Sequence, residues 1–239
     1  MTDRTLADAR RWVAHGTHLC RDALVSLDEA DFGQPSLLKG WTRKHLAAHL
    51  AANADAVGNL IRWARTGEPT PMYSSLEQRA DDIEDGARKS ASELTNWFDQ
   101  SATALGSAMD GLTPAQWAAE VLTAQGRTVP ASETPWMRAR EVMIHAVDLG
   151  TGVGFADLPA DFLTALVTDI VGKRSAAVDG PALLVSPSDL DLSWTVAGAG
   201  DATEVTGSLA GLTAYLAGRA DHDARGPDGA RAPDLPRWL

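Results

Sequence analysis

Cysteine is nearly absent: Cys20 stands alone among 239 residues. No intramolecular disulfide can form, and no cysteine-rich zinc site can be built. Basic residues are short as well, 21 Lys plus Arg against 32 Asp plus Glu, for a formal net charge of -11. A general binder of phosphate backbone needs a basic footprint, so that class is excluded, whereas an anionic small molecule gripped by a few arginines is not. Nowhere does an apolar run reach the roughly 18 residues that read as a membrane span. The opening MTDRTLADARR carries no apolar signal core. Neither a G-x-G-x-x-G fingerprint nor a Walker loop occurs. These absences predict a cytoplasmic protein with no nucleic-acid or membrane partner.

What is present is mostly helical periodicity. Leu6, Ala9, Trp12, Val13, Leu19, Ala23, Leu24 and Leu27 recur mainly three or four apart, the spacing of an amphipathic helix. A second helix opens with Thr42 as N-cap and runs to Gly67, where Pro69 and Pro71 follow. Ser75 with Gln78, and Ser90 with Glu93, offer two further starts on either side of Gly86, so two helices in tandem are expected, ending near Met109. Thr113-Pro114 opens a short helical turn, and VLTAQGRTVP reads as an irregular or hairpin insert turning at Gln125-Gly126. Thr134-Pro135 places a cap before a proline, starting a helix that ends at Gly150. Beyond residue 155 the pattern shifts: a helix over 160–177, short strands at PALLVS, LSWTVA and ATEVTG, and a closing helix in SLAGLTAYLAGR. The tail from Asp221 to Leu239 is assigned no regular structure, although PRWL can dock. The chain is long enough for two modest domains, 1–155 helical and 156–239 mixed, an α+β protein.

In MRAREVMIHAVDLG, Glu141 and His145 stand four apart on one face of an otherwise apolar helix. A lone buried carboxylate is costly, so Glu141 must be paired, protonated or bound to a metal. His45 and His49 form a second i, i+4 pair on another helix, and helical bundles build metal sites by facing such pairs inward. A His, His, Glu set leaves an open position on Zn(II) or a similar divalent ion, the catalytic arrangement. Blander readings compete: either histidine can be a satisfied core or surface residue, and Glu141 can be salt-bridged to Arg138. Cys20 reads as a small buried filler, and Arg79, Arg127 and Arg219 as solvated charges unless an anion binds them.

The runs LLKGWTRKHLAAHLAANADAVGNLIRWARTGEPTPMY and LTAQGRTVPASETPWMRAREVMIHAVDLG, the SLAG and AGR segment, and the closing PRWL resemble the mycothiol-dependent maleylpyruvate isomerases. The resemblance spans residue 30 to the C-terminus and is weakest over 160–200. It implies a DinB-like four-helix bundle carrying a divalent metal, followed by a small α/β domain of sterol-carrier type. It implies His49, Glu141 and His145 as metal ligands with His45 as a neighbour, and Arg79 and Arg219 as substrate-gripping residues. It further implies zinc or a similar ion, mycothiol as thiol cofactor, and a dicarboxylate substrate from gentisate (aromatic) degradation.

Maleylpyruvate cannot become fumarylpyruvate until its C2-C3 double bond is temporarily single. A thiolate adding at C2 sends the C2-C3 π pair to C3-C4 and the C4 carbonyl pair onto oxygen; rotation and expulsion of the thiolate reverse the flow. A metal can lower the thiol pKa from about 8.5 or polarise the carbonyl. Two alternatives stand beside isomerisation: a related thiol transferase that keeps the thiol on its product, and a binding protein with a structural metal and an apolar ligand.

Overall fold

A computed structural model of the chain describes residues 4–219 and 223–238. They form two compact units, Arg4–Val153 and a second that begins at Gly154. In the first, the helices among the described residues are α1 (Leu6–Val25), α2 (Glu29–Phe32), α3 (Arg43–Thr66), α4 (Leu76–Gly86), α5 (Ala91–Asp110), α6 (Pro114–Trp117) and α7 (Thr134–Asp148). Side-chain caps set their starts. Thr5 and Asp8 exchange bonds in a capping box at α1, as do Ser90 and Glu93 at α5. Ser75 Oγ accepts from the Gln78 N-H at 2.9 Å to open α4. Gly67, at φ 77°, closes α3 in the left-handed region that suits glycine.

The insert is an antiparallel hairpin of β1 (Glu120–Leu122) and β2 (Thr128–Pro130), turning at Gly126. One expected cap fails. Helix α7 begins at Thr134 itself, with Glu133 at the N-cap position, because a 3-10 turn over Ala131–Glu133 runs straight into it. The Thr134 hydroxyl instead donates to Ala131 O at 2.7 Å.

Helix α1 packs along α7 and α3 along α5, while α3 also meets α7 and α4. Helix α3 is buried on most of its circumference and does so with small residues, Ala47, Ala48, Ala51, Ala54 and Ala56, which let three neighbours approach. One apolar cluster gathers Leu24, Phe32, Leu46, Leu50, Phe98 and Val142. A second gathers Val57, Leu60, Ile61, Leu105 and Met109.

The second unit holds α8 (Ala160–Ala177), β3 (Pro181–Pro187), β4 (Trp194–Val196), β5 (Ala199–Gly207) and α9 (Leu209–Leu216). Its sheet runs β4-β3-β5, antiparallel between β3 and β4 and parallel between β3 and β5, with Val185 opposite Val205. Leu183, Val185, Val196 and Val205 are buried, as are Phe162, Leu166 and Ile170 of α8. The closing helix is shorter than SLAGLTAYLAGR suggests, because Ser208 is spent as its N-cap and Gly218 turns out at φ 71°.

The tail is more ordered than its composition suggests. Arg225 bridges to both Thr206 and Arg231, and Pro227–Gly229 makes a 3-10 turn. Near the end, Arg174 donates to Pro236 O at 3.2 Å, and the Lys173 ammonium lies 5.8 Å from the centre of the buried Trp238 ring. Asp221, His222 and Leu239 lie outside the described residues. Among those described, no helix is long and apolar enough to cross a membrane. The chain is α+β.

Candidate metal centre

Helical geometry builds the centre from two stripes. His49 and Asn53 stand four apart on α3, and Arg138, Glu141, His145 and Asp148 follow at intervals of three and four on α7. Each set therefore lies along one helix face. The two faces meet: His49 Nε2 is 2.9 Å and His145 Nε2 3.3 Å from the same oxygen, Glu141 Oε2. Donor atoms of the three residues all lie within 4.8 Å of one another. The imidazole rings are nearly perpendicular, with centres 5.1 Å apart. The His49 side chain is 6% exposed and that of Glu141 32%, so the set sits at the edge of the core and small molecules can reach it.

The electrostatics follow from burial and from these contacts. Burial pulls His49 below its ordinary pKa and outweighs the opposing pull of Glu141, so this imidazole is neutral at pH 7. Burial acts against ionisation of Glu141, but hydrogen bonds from His145 and His49 win and hold its carboxyl well below the usual carboxylate range. For His145, burial is again the largest influence, and the combined bonds to Asp148 and Glu141 overcome it, pushing the pKa up to about 9. Asp148 is fully buried and its Oδ2 lies 2.8 Å from His145 Nδ1. That contact fixes the ring and aims Nε2 at Glu141, the arrangement that orients metal-ligating histidines.

Two imidazole nitrogens and a carboxylate oxygen on rigid helices, with one ring held from behind, fit a divalent ion of borderline softness. His49, Glu141 and His145 could hold it, leaving coordination positions open.

The remaining sequence candidates divide. Arg79, on α4, places Nη2 3.3 Å from His49 Nδ1. Arg219 belongs to the second unit, where its Nη1 donates to Ala217 O at 2.7 Å. Arg127 is exposed on the hairpin, its backbone paired with Thr123. His45 serves the start of α3: its Nδ1 lies 2.7 Å from Thr42 Oγ1, and its Nε2 is 3.6 Å from Glu84. Cys20 is wholly buried, its Sγ 3.1 Å from Val142 O, and burial pushes its thiol up to about 12, which rules out a thiolate nucleophile at neutral pH. Arg138 is not the partner of Glu141 in an ion pair; it donates to Leu50 O at 2.7 Å and to Asn53 Oδ1 at 2.8 Å.

Four neighbours were not singled out as site residues in the sequence. Asp148 lies three residues after His145, a spacing that could have pointed to it. Asn53 continues the His45, His49 periodicity. Trp41 stands 5.5 Å, ring centre to ring centre, from His49, and Tyr73 lies 5.7 Å from the Arg79 guanidinium carbon. Neither of these two carries a local signal.

Fold and site together define an α+β protein with a candidate divalent-metal centre in its helical unit. The family model described as the mycothiol maleylpyruvate isomerase N-terminal domain matches residues 13–150. A crystal structure of the mycothiol-dependent maleylpyruvate isomerase shares 42% identity with the chain at a TM-score of 0.93, covering 99% of this chain and 98% of that one. A structure of a histidine-to-alanine mutant of that isomerase matches equally, at 42% identity, TM-score 0.93 and the same coverage. The search of curated proteins finds no match. The chain belongs to the mycothiol-dependent maleylpyruvate isomerase family.

Proposed function

We propose that this protein is a mycothiol-dependent maleylpyruvate isomerase, converting maleylpyruvate to fumarylpyruvate in the cytoplasm as a step of gentisate degradation. The observation that carries the reading is the meeting of His49 and His145 on one oxygen of Glu141, in a chain 42% identical over 99% of its length to that isomerase. On this reading the first unit is a DinB-like four-helix bundle, and the second is a small domain of sterol-carrier type.

His49, Glu141 and His145 hold zinc or a similar divalent ion, which supplies Lewis acidity when bound, and mycothiol supplies the sulfur. The chain's own groups do the rest. Asp148 keeps the proton of His145 on Nδ1, so that Nε2 is left as the donor atom. Arg79 presents a planar fork beside His49 and grips one substrate carboxylate. Arg219 is assigned the other carboxylate from the family resemblance. Trp41 packs beside His49 and belongs with the α3 alanines to the apolar cluster on the inner side of the site.

Fumarylpyruvate formation, followed by absorbance while free thiol is titrated, tests the reading. The expected result is many turnovers per mycothiol with the thiol count unchanged. Consumption of one thiol per product would assign the chain to thiol transfer instead.

A further inference from the structure

Among the described residues Arg138 is the largest side chain that is fully buried. Its Nη1 is spent on two bonds, to Leu50 O at 2.7 Å and to Asn53 Oδ1 at 2.8 Å, while Nε and Nη2 find no acceptor among the described residues. Burial lowers its pKa to about 10, so the group stays charged at neutral pH. Stability alone does not favour such a residue. Apolar side chains of similar volume often fill a core as well as a buried ion or better, and donors left without partners add to the cost. The two bonds that Arg138 does make therefore point to its use.

Both bonds land on α3 beside a metal ligand. Leu50 follows His49 directly, and Asn53 lies one turn beyond His49 on the same face. On α7, Arg138 lies three residues before Glu141. Two contacts thus join the helices in succession, His49 to Glu141 at 2.9 Å and Asn53 to Arg138 at 2.8 Å. Because the partner on α7 steps back as α3 advances, the two helices run antiparallel. Apolar packing does little to hold their register. The cluster that α3 shares with Val142 and Ala146 of α7 takes Ala47, Ala48 and Ala51 from α3, and such short side chains raise only shallow ridges. A slip of one residue would carry His49 about 1.5 Å along the axis. A metal site needs its donors held within about 0.5 Å.

We propose that Arg138 is a positioning residue of the metal centre: its Nη1, bonded at once to Leu50 O and Asn53 Oδ1, fixes the register of α7 against α3 and so holds His49 and Glu141 at the spacing a divalent ion needs. This inference rests on the metal-centre reading and adds to it a group that touches neither ion nor substrate. A charged donor suits the task, because its bonds are stronger than those of a neutral one.

The test is metal binding by the full chain, with zinc affinity read by competition with a chromophoric chelator. The cobalt(II) absorption spectrum reports donor geometry, and the melting temperature of the metal-free protein reports the fold. Arg138→Met is expected to bind zinc about 10-fold more weakly, the loss typical of an outer partner, and to alter the cobalt spectrum. Asn53→Ala removes one of the two anchors, leaves the guanidinium in place, and weakens zinc binding about fivefold, the worth of one hydrogen bond. Arg138→Lys recovers most of the affinity, because a single ammonium nitrogen can make both bonds. Zinc affinity within about twofold of wild type in Arg138→Met, or in Asn53→Ala should the first variant not fold, overturns the proposal. So does an unaltered cobalt spectrum alongside a lowered melting temperature, which would make Arg138 a group of the fold and not of the site. If the wild type itself binds neither zinc nor cobalt, the metal-centre reading falls first, a result separable from these.

Discussion

His49→Ala is expected to lose the divalent metal that His49, Glu141 and His145 are proposed to hold, and turnover with it. The substitution deletes a donor that sits 2.9 Å from Glu141 Oε2 on the rigid face of α3, where no neighbouring donor can take its place. His45, the one other imidazole on that helix, is held at its N-terminus by Thr42 and approaches Glu84. Loss of an outer partner alone typically weakens a site 10–100-fold, so loss of a ligand is expected to weaken metal binding by more than about 100-fold. Activity then falls below about 1% of wild type, since the Lewis acid is gone. Arg219→Ala behaves differently. On the proposed reading it is expected to keep its metal, because no donor of the set changes, and to lose roughly 100-fold in turnover through the carboxylate grip assigned to Arg219. Elemental analysis of both purified variants beside their initial rates separates the two behaviours. An Arg219 variant with full activity would remove that residue from the site.

Gly16→Leu is expected to be among the most destabilising single changes in the helical unit. A Cβ at position 16 would stand 2.5 Å from Val142 Cγ2 and 3.0 Å from the Met143 backbone nitrogen. Val142 is β-branched and fully buried, so it cannot swing aside, and the backbone of α7 cannot yield without moving the helix. The helix-propensity gain on replacing glycine, up to about 1 kcal/mol, does not offset that overlap. Overpacking of this kind costs roughly 3 kcal/mol, about 6–12 °C in melting temperature for a unit of this size. Because Val142 and Met143 directly follow Glu141 in α7, the same change should weaken metal binding. Urea unfolding checks the first effect and metal titration the second. A Gly16→Leu variant within about 0.5 kcal/mol of wild type would contradict the close packing of α1 on α7.

Much of the fold was legible because its signals are local. Ser75 with Gln78 and Ser90 with Glu93 announce helix starts within four residues, and Gly67 announces an end. The failed cap at Thr134 shows the limit: whether a hydroxyl caps or donates to a preceding turn depends on the chain before it, here Ala131–Glu133. The parallel pairing of β3 with β5 joins segments whose sequences say nothing of each other. At the site, the i, i+4 rule put His49 and the Glu141, His145 pair on definite faces, and the structure brings these three side chains together. The same rule could not rank His45 against His49, since both share a face and only the contact with Thr42 distinguishes them. The full burial of Arg138 and Asp148 has no local signal, because charged residues are by default solvated and these two are buried by partners that tertiary packing brings. Tyr73 lies outside any helix, where no periodicity points to it.

One divalent ion, held by His49, Glu141 and His145, is proposed to carry mycothiol-dependent isomerisation. The most direct test of that role is to strip the protein of metal and follow fumarylpyruvate formation with saturating mycothiol as metal is returned stepwise. Negligible activity at the start and a linear rise that stops at one ion per chain are expected. Full activity in the stripped protein, or restoration of activity in His49→Ala at the same stoichiometry, would contradict it.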